Sequence, residues 1–151
     1  MERKQFSRRA QEMLATANRE SRAVGSPHIS SEHLLLGAVA YGRGVGAAII
    51  ANAGLQADAL RAHLAKVGWT QEEVSYGYGV STRRIFIASV RHADSLGYPE
   101  IEPEHIILGL LDEHAGSGAA SEFAHFRVDV PGTRRAILER ISHGPDSTTA
   151  A

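Results

Sequence analysis

An all-α fold of two tandem, pseudo-symmetric four-helix repeats packed as one domain is predicted by three observations. First, Ser31-Glu32-His33-Leu34-Leu35-Leu36-Gly37-Ala38 returns as Pro103-Glu104-His105-Ile106-Ile107-Leu108-Gly109-Leu110. Glu, His and Gly recur at one offset of 72 residues, as do Gly25 with Gly97 and Ile29 with Ile101. Second, apolar residues recur every three to four positions through both halves, the period of a buried helix face. Third, no stretch sustains the alternation of period two that marks a half-buried strand.

The first helix carries Phe6, Ala10, Met13, Leu14, Ala17 and Val24 near one face and Arg8, Arg9, Glu12, Arg19, Glu20 and Arg22 on the other. Ser7 is its expected N-cap, and Gly25-Ser26-Pro27 ends it. The second copy sets the register of the next helix. Pro103 fits the first helical position, where its missing N–H costs nothing, so Glu102 is the N-cap and Glu104 the second helical residue. Moved back by 72, the same register makes Ser30 the N-cap and Glu32 the second helical residue, with Leu34, Leu35, Ala38 and Val39 buried. Gly42 to Gly46 is a helix-to-helix turn into a short third helix with Ile49 and Ile50. A fourth follows Leu55, with Leu60, Leu64 and Val67 spaced by four and three.

Residues 69–79, with Trp69, Tyr76 and Tyr78 among glycines, form the expected connector between repeat 1 (about 3–68) and repeat 2 (about 80–142). In repeat 2 the helices are expected around Ile85 to Leu96, around Ile106 to Leu111, around Ala119 to Phe126, and after Pro131-Gly132 with Ile137, Leu138 and Ile141. Residues 143–151, rich in Ser, Thr, Pro and Ala, read as a flexible tail.

The 151 residues carry 43% apolar content, 16 basic and 17 acidic side chains, and no cysteine. The balance of charge argues against a nucleic-acid binder held mainly by phosphate contacts. A disulfide framework, a thiolate metal site and a thiol nucleophile are excluded. No apolar run approaches the roughly 20 residues that span a bilayer, and the start is polar, so no membrane partner and a cytoplasmic location are expected.

Glu32 and Glu104 are the candidate ligand residues. A carboxylate in the first helical turn is stabilised by the helix dipole by roughly 0.3–1 kcal/mol, which accounts for both without a ligand. A carboxylate can also take a guanidinium in bidentate fashion, and helix-start N–H groups can receive an attached phosphoryl group. No His-x-x-x-His pair, nucleophile elbow or nucleotide loop after a strand is present, so no catalytic residue, metal or cofactor is expected, and His33 and His105 read as structural histidines at helix starts.

Over about residues 3–142 the chain resembles the Clp N-terminal domain, closest to the ClpC type that precedes ATPase rings. The resemblance rests on Phe6-Ser7, Val24-Gly25, Ser30 to Ala38 and Gly42 to Ala47 in the first half. In the second it rests on Tyr78-Gly79, Leu96-Gly97, Glu102 to Leu110 and Gly116-Ser117-Gly118-Ala119. No Gly-x-x-x-x-Gly-Lys-Ser/Thr loop occurs, so ATP hydrolysis by that route is not expected. The chain is then either a free-standing domain of this family or a piece of a longer unfoldase.

The resemblance implies a non-enzymatic recognition domain that binds substrate proteins or adaptors, with a ClpC-type unfoldase as partner. ClpC domains bind phosphoarginine at one site per repeat. That implies Glu32, Ser7 and Ser31 in repeat 1, and Glu104 with Ser81 or Thr82 in repeat 2, where Gly79 replaces the expected Thr. Glu100 and Glu102 add negative charge beside Glu104, which favours the first site. The alternative is a decoy that sequesters cyclic peptide antibiotics aimed at ClpC, with Phe6 and Tyr78 as the peptide-contact pair.

Overall fold

The structure is a computed structural model and describes residues 4–112 and 118–145. His114, the Gly116-Ser117 part of the second glycine turn and most of the expected tail lie outside the described residues. The elements are α1 (Arg8–Ala23), α2 (Ser31–Tyr41), α3 (Val45–Asn52), α4 (Ala57–Val67), β1 (Val74–Ser75), β2 (Tyr78–Gly79), α5 (Val80–Ser95), α6 (Pro103–Leu111), α7 (Gly118–His125) and α8 (Val130–Ile141). Among the described residues no single helix is long and apolar enough to cross a membrane.

The caps explain the boundaries. Ser7 accepts the Ala10 N–H at 3.1 Å, and Ser30 and Glu102 precede α2 and α6 in the register that Pro103 fixes. The last helix begins earlier than its sequence suggests. Asp129 caps it by accepting the Gly132 N–H at 3.1 Å, and Pro131 is tolerated because the first turn has no intrahelical use for its missing donor. The connector also differs from the expected loop. It folds into a two-residue hairpin turned by Tyr76 (φ 54°) and Gly77 (φ 84°), a pair of left-handed residues that suits a tight hairpin.

Within each repeat the first two helices form an antiparallel hairpin. Tyr41 at the end of α2 donates to Glu12 near the start of α1 at 3.0 Å. Close approach comes from Gly37, where a Cβ would stand 2.5 Å from Ala17 Cβ; Gly109 meets Ile85 O in the same way in repeat 2. The buried motif residues Leu34, Leu35, Leu36, Ile106, Ile107 and Leu108 belong to one hydrophobic core that spans both repeats.

The repeats are related by a two-fold exchange. Phe6 bridges Ile101, and Ile29 bridges Tyr78. The Ser7 N–H donates to Ile101 O at 2.9 Å, and Gly79 N–H to Ile29 O at 3.1 Å; the Ile101 N–H donates to Gln5 O, and Ile29 N–H to Gly77 O. Adding or subtracting 72 turns each of these contacts into its partner. The start of each repeat is therefore sewn to the link before the motif helix of the other.

Candidate functional site

This exchange decides which residues meet. Because α1 and α2 run antiparallel, Ser7 lies at the opposite end of the hairpin from Glu32; α1 alone has 16 residues, about 24 Å of rise. Ser7 instead donates its hydroxyl to Glu102 at 2.9 Å. The structure therefore does not bring Ser7 to Glu32, and it likewise places Ser81 and Thr82 away from Glu104. Each candidate site draws on both repeats: Glu104 meets Arg9 of α1 and Gly46 of α3, and Glu32 meets Thr70 of the connector and Gly118 of α7.

Around Glu104 the carboxylate is fully buried. Its Oε2 accepts the Gly46 N–H at 2.9 Å, at the first turn of α3, which the helix dipole favours. Arg9, a residue the motif comparison does not single out, lays its guanidinium between the acids. Its Nη1 is 3.4 Å from Glu102 Oε1 and its Nη2 3.4 Å from Glu104 Oε2, and the group packs against Gly44, where a Cβ would collide with it. Burial raises the Glu102 pKa above the usual carboxylate value, and the Ser7 hydroxyl and Arg9 oppose that shift. Glu104 Oε1 has no hydrogen-bond partner among the described residues.

Glu32 is 3% exposed. Its Oε1 accepts the Ser31 hydroxyl at 3.1 Å and its Oε2 the Thr70 N–H at 2.5 Å, while the carboxylate rests on Gly118, where a Cβ would collide with it. Ser31 also accepts the Ala119 N–H at 3.1 Å. Subtracting 72 from 118 gives 46, so both glutamates sit at the start of the other repeat's third helix. They differ in what else reaches them. The residue equivalent to Arg9 is Ser81, which supplies no guanidinium. Beside Glu32 is a pocket of about 220 Å³ lined by Glu32, Val67, Trp69, Thr70, Ser121 and Glu122, among others.

Ser81 and Thr82 are both engaged inside the fold. Helix α5 starts at Val80 on Gly79 with no side-chain cap. Its donors are met by Glu72 of the connector, which takes the Ser81 hydroxyl at 2.7 Å and the Ser81 N–H at 3.3 Å. Thr82 donates to Ile29 O at 3.0 Å.

The motif histidines hold the helix starts. His33 Nδ1 accepts the Ser30 N–H at 3.1 Å and His105 Nδ1 accepts the Glu102 N–H at 2.8 Å, so each takes the role that Glu or Gln has in a capping box. Burial lowers the pKa of each to about 4, which keeps Nδ1 free to accept. Phe6 and Tyr78, the expected peptide-contact pair, are both half-buried and meet through Phe86, with ring centroids at 5.3 and 5.0 Å and edge-to-face geometry.

Comparison with known proteins finds relatives over most of the chain. The Clp repeat (R) N-terminal domain family matches residues 5–118. The rice chaperone protein ClpC3, chloroplastic (Oryza sativa subsp. japonica), is 31% identical over 142 residues, covering 91% of this chain and 15% of that protein. The negative regulator of genetic competence ClpC/MecB of Bacillus subtilis (strain 168) is 29% identical over 148 residues, covering 97% of this chain and 18% of its own length. The chain thus spans less than a fifth of these curated relatives. Among solved structures, the N-terminal domain of the ClpD chaperone from Arabidopsis thaliana superposes with a TM-score of 0.76 at 24% identity, covering 91% of this chain and 94% of that one. The Hsp104 N-terminal domain from Candida albicans does so with a TM-score of 0.71 at 12% identity, covering 90% and 91%. At these identities the two superpositions show a shared fold.

Proposed function

Since the chain belongs to the Clp repeat N-terminal domain family, we propose that it is a non-enzymatic recognition domain of a Clp unfoldase and protease system. It binds substrate polypeptides or adaptors through the guanidinium of an arginine, with phosphoarginine-marked substrates as the form the family resemblance implies, and so modulates regulated proteolysis. The supporting observation is Arg9 on Glu104. A motif glutamate in this frame holds a guanidinium, and the equivalent Glu32 lines a pocket that no arginine enters among the described residues. A carboxylate with two lone pairs left after Ser31 and Thr70 can take two guanidinium N–H groups.

The test is calorimetric titration of the chain with short peptides bearing arginine or phosphoarginine. Binding is expected with one peptide per chain, and Glu32→Gln is expected to abolish it. Absence of heat with both peptides, or equal binding by Glu32→Gln, overturns the proposal.

A second reading draws support from the half-buried Phe6, Phe86 and Tyr78 rings, which offer aromatic edges to an apolar cyclic peptide. Such a chain would act as a decoy for cyclic peptide antibiotics. Saturable binding of a hydrophobic cyclic peptide, weakened by Phe6→Ala and Tyr78→Ala, is its expected signature; absence of binding at high micromolar concentration eliminates it.

A further inference from the structure

We infer that the Glu32 pocket selects an unmodified arginine side chain over phosphoarginine, and that Glu122 is the residue that sets this preference. The inference rests on the guanidinium-binding proposal and specifies its ligand.

Among the described residues that line it, the pocket holds two acids. Glu122, on α7, lines it together with Glu32, and each is 3% exposed. Among the described residues that line the pocket there is no Lys or Arg. Glu122 is fixed from behind, since His63 Nδ1 lies 2.6 Å from its Oε1. A cation entering beside two buried carboxylates gains Coulomb attraction that offsets its loss of hydration, whereas a phosphoryl group entering there is repelled by both.

The place where a phosphate would go is already filled. The Gly79 N–H is spent on Ile29 O, so the donors left at the start of α5 are the Ser81 N–H and hydroxyl, and the Glu72 carboxylate accepts both; a Cβ on Gly79 would collide with that carboxylate. Segment 70–72 thus delivers a backbone N–H to Glu32 at one end and its own anion to α5 at the other. A phosphorylated ligand would have to displace Glu72 to reach those donors. A bare guanidinium has to displace nothing.

Size and wall chemistry point the same way. About 220 Å³ is below the roughly 300–1,000 Å³ of a small-molecule site and accommodates the end of one side chain. Trp69 lines the pocket, a flat partner for a planar guanidinium, and its buried indole N–H finds no partner among the described residues. A carbonyl of the peptide carrying the arginine would satisfy that donor. Glu122 has no counterpart at the other site, because the residue 72 positions earlier is Ile50, buried in the core. The other site instead carries Arg9.

Trp69 is the only tryptophan of the chain, so its fluorescence reports occupancy directly. Three pentapeptides that differ only at a central arginine, phosphoarginine or lysine are titrated against the full chain. The arginine peptide is expected to bind about tenfold or more tighter than the phosphoarginine peptide, and tighter than lysine. Glu122→Gln, which keeps the shape and a hydrogen bond to His63, is expected to close most of that gap. Equal or tighter binding of phosphoarginine by the unmodified chain overturns the inference while leaving the guanidinium proposal standing, and this comparison needs no variant. An unchanged ratio in Glu122→Gln, with its circular dichroism melt intact, removes Glu122 from the role. Failure of all three peptides overturns the guanidinium proposal itself.

Discussion

Arg9 and Ser81 stand at equivalent positions of the two repeats, yet Arg9 puts a guanidinium 3.4 Å from Glu104 while Ser81 gives its hydroxyl to Glu72 at 2.7 Å. One motif glutamate thus holds a guanidinium of the chain itself, and among the described residues the other holds none. Arg9→Ser should empty the first cleft and raise the number of arginine peptides bound from one to two per chain. Combined with Glu32→Gln, it should restore a single site. Calorimetric stoichiometry reads both outcomes. Loss of the cation from a fully buried carboxylate should also lower stability, by about 1–3 kcal/mol given that Arg9 is partly exposed.

Gly118 and Gly46 are the seats of the two glutamates. Gly118→Ala places a methyl group in the Glu32 carboxylate, so arginine-peptide binding should fall at least as far as in Glu32→Gln. Gly46→Ala meets Ile107 Cδ1 at 2.9 Å and Glu104 Cγ at 3.1 Å and should cost about 1–3 kcal/mol while leaving the Glu32 pocket able to bind. Denaturant melts and peptide titrations of the two variants separate these effects.

Gly37→Ala is expected to be the more damaging change in the scaffold. Its Cβ would stand 2.5 Å from Ala17 Cβ and 2.7 Å from Ala17 Cα, and backbone cannot rotate away as a side chain can. The α1–α2 hairpin would have to open, at a cost of about 3 kcal/mol or more. A midpoint in urea within error of the parent would show that the two helices can separate freely.

Acid should weaken the fold through the capping histidines. Both rings are held near pKa 4 by burial, against an ordinary 6.5. Between those values the unfolded chain binds more protons than the folded one, so stability is complete above about pH 6.5 and declines as pH falls toward 4. The loss is on the order of 3 kcal/mol for each ring. His33→Gln keeps an acceptor for the Ser30 N–H but does not titrate, so urea midpoints between pH 7 and 4 should vary about half as much as in the parent.

Much of the fold could be read from sequence because the chain contains its own comparison. Pro103 fixed the register of α6, the offset of 72 carried that register to Ser30 and Glu32, and the caps fall there. The site was legible only in part. Glu32 and Glu104 announce themselves by recurrence, but recurrence cannot say whether the start of a repeat meets its own motif helix or the other's. That is settled by long-range pairings such as Phe6 with Ile101, so Ser7 belongs with Glu102 and not with Glu32. Glu122, opposite Ile50 in the alignment of repeats, and Glu72, in the unrepeated connector, leave no periodic trace. For Glu122 the one available signal is departure from the repeat, a charge where the other copy has the aliphatic Ile50. The hairpin at 74–79 has strands too short to show alternation, and Tyr76-Gly77 was its one local sign.

The crossing of the repeats also bears on ancestry. A unit whose first helix start completes the motif glutamate of its neighbour gains nothing from a neighbour in tandem translation, but everything from a second copy across a two-fold axis. A homodimer of single repeats would already have carried two complete and identical clefts. Joining them through residues 68–79 keeps both clefts while releasing them from identity, so that one copy could keep an arginine at position 9 and the other could acquire a serine at 81 and a glutamate at 122. Covalent fusion, on this view, is what permitted two equal sites to take up different work.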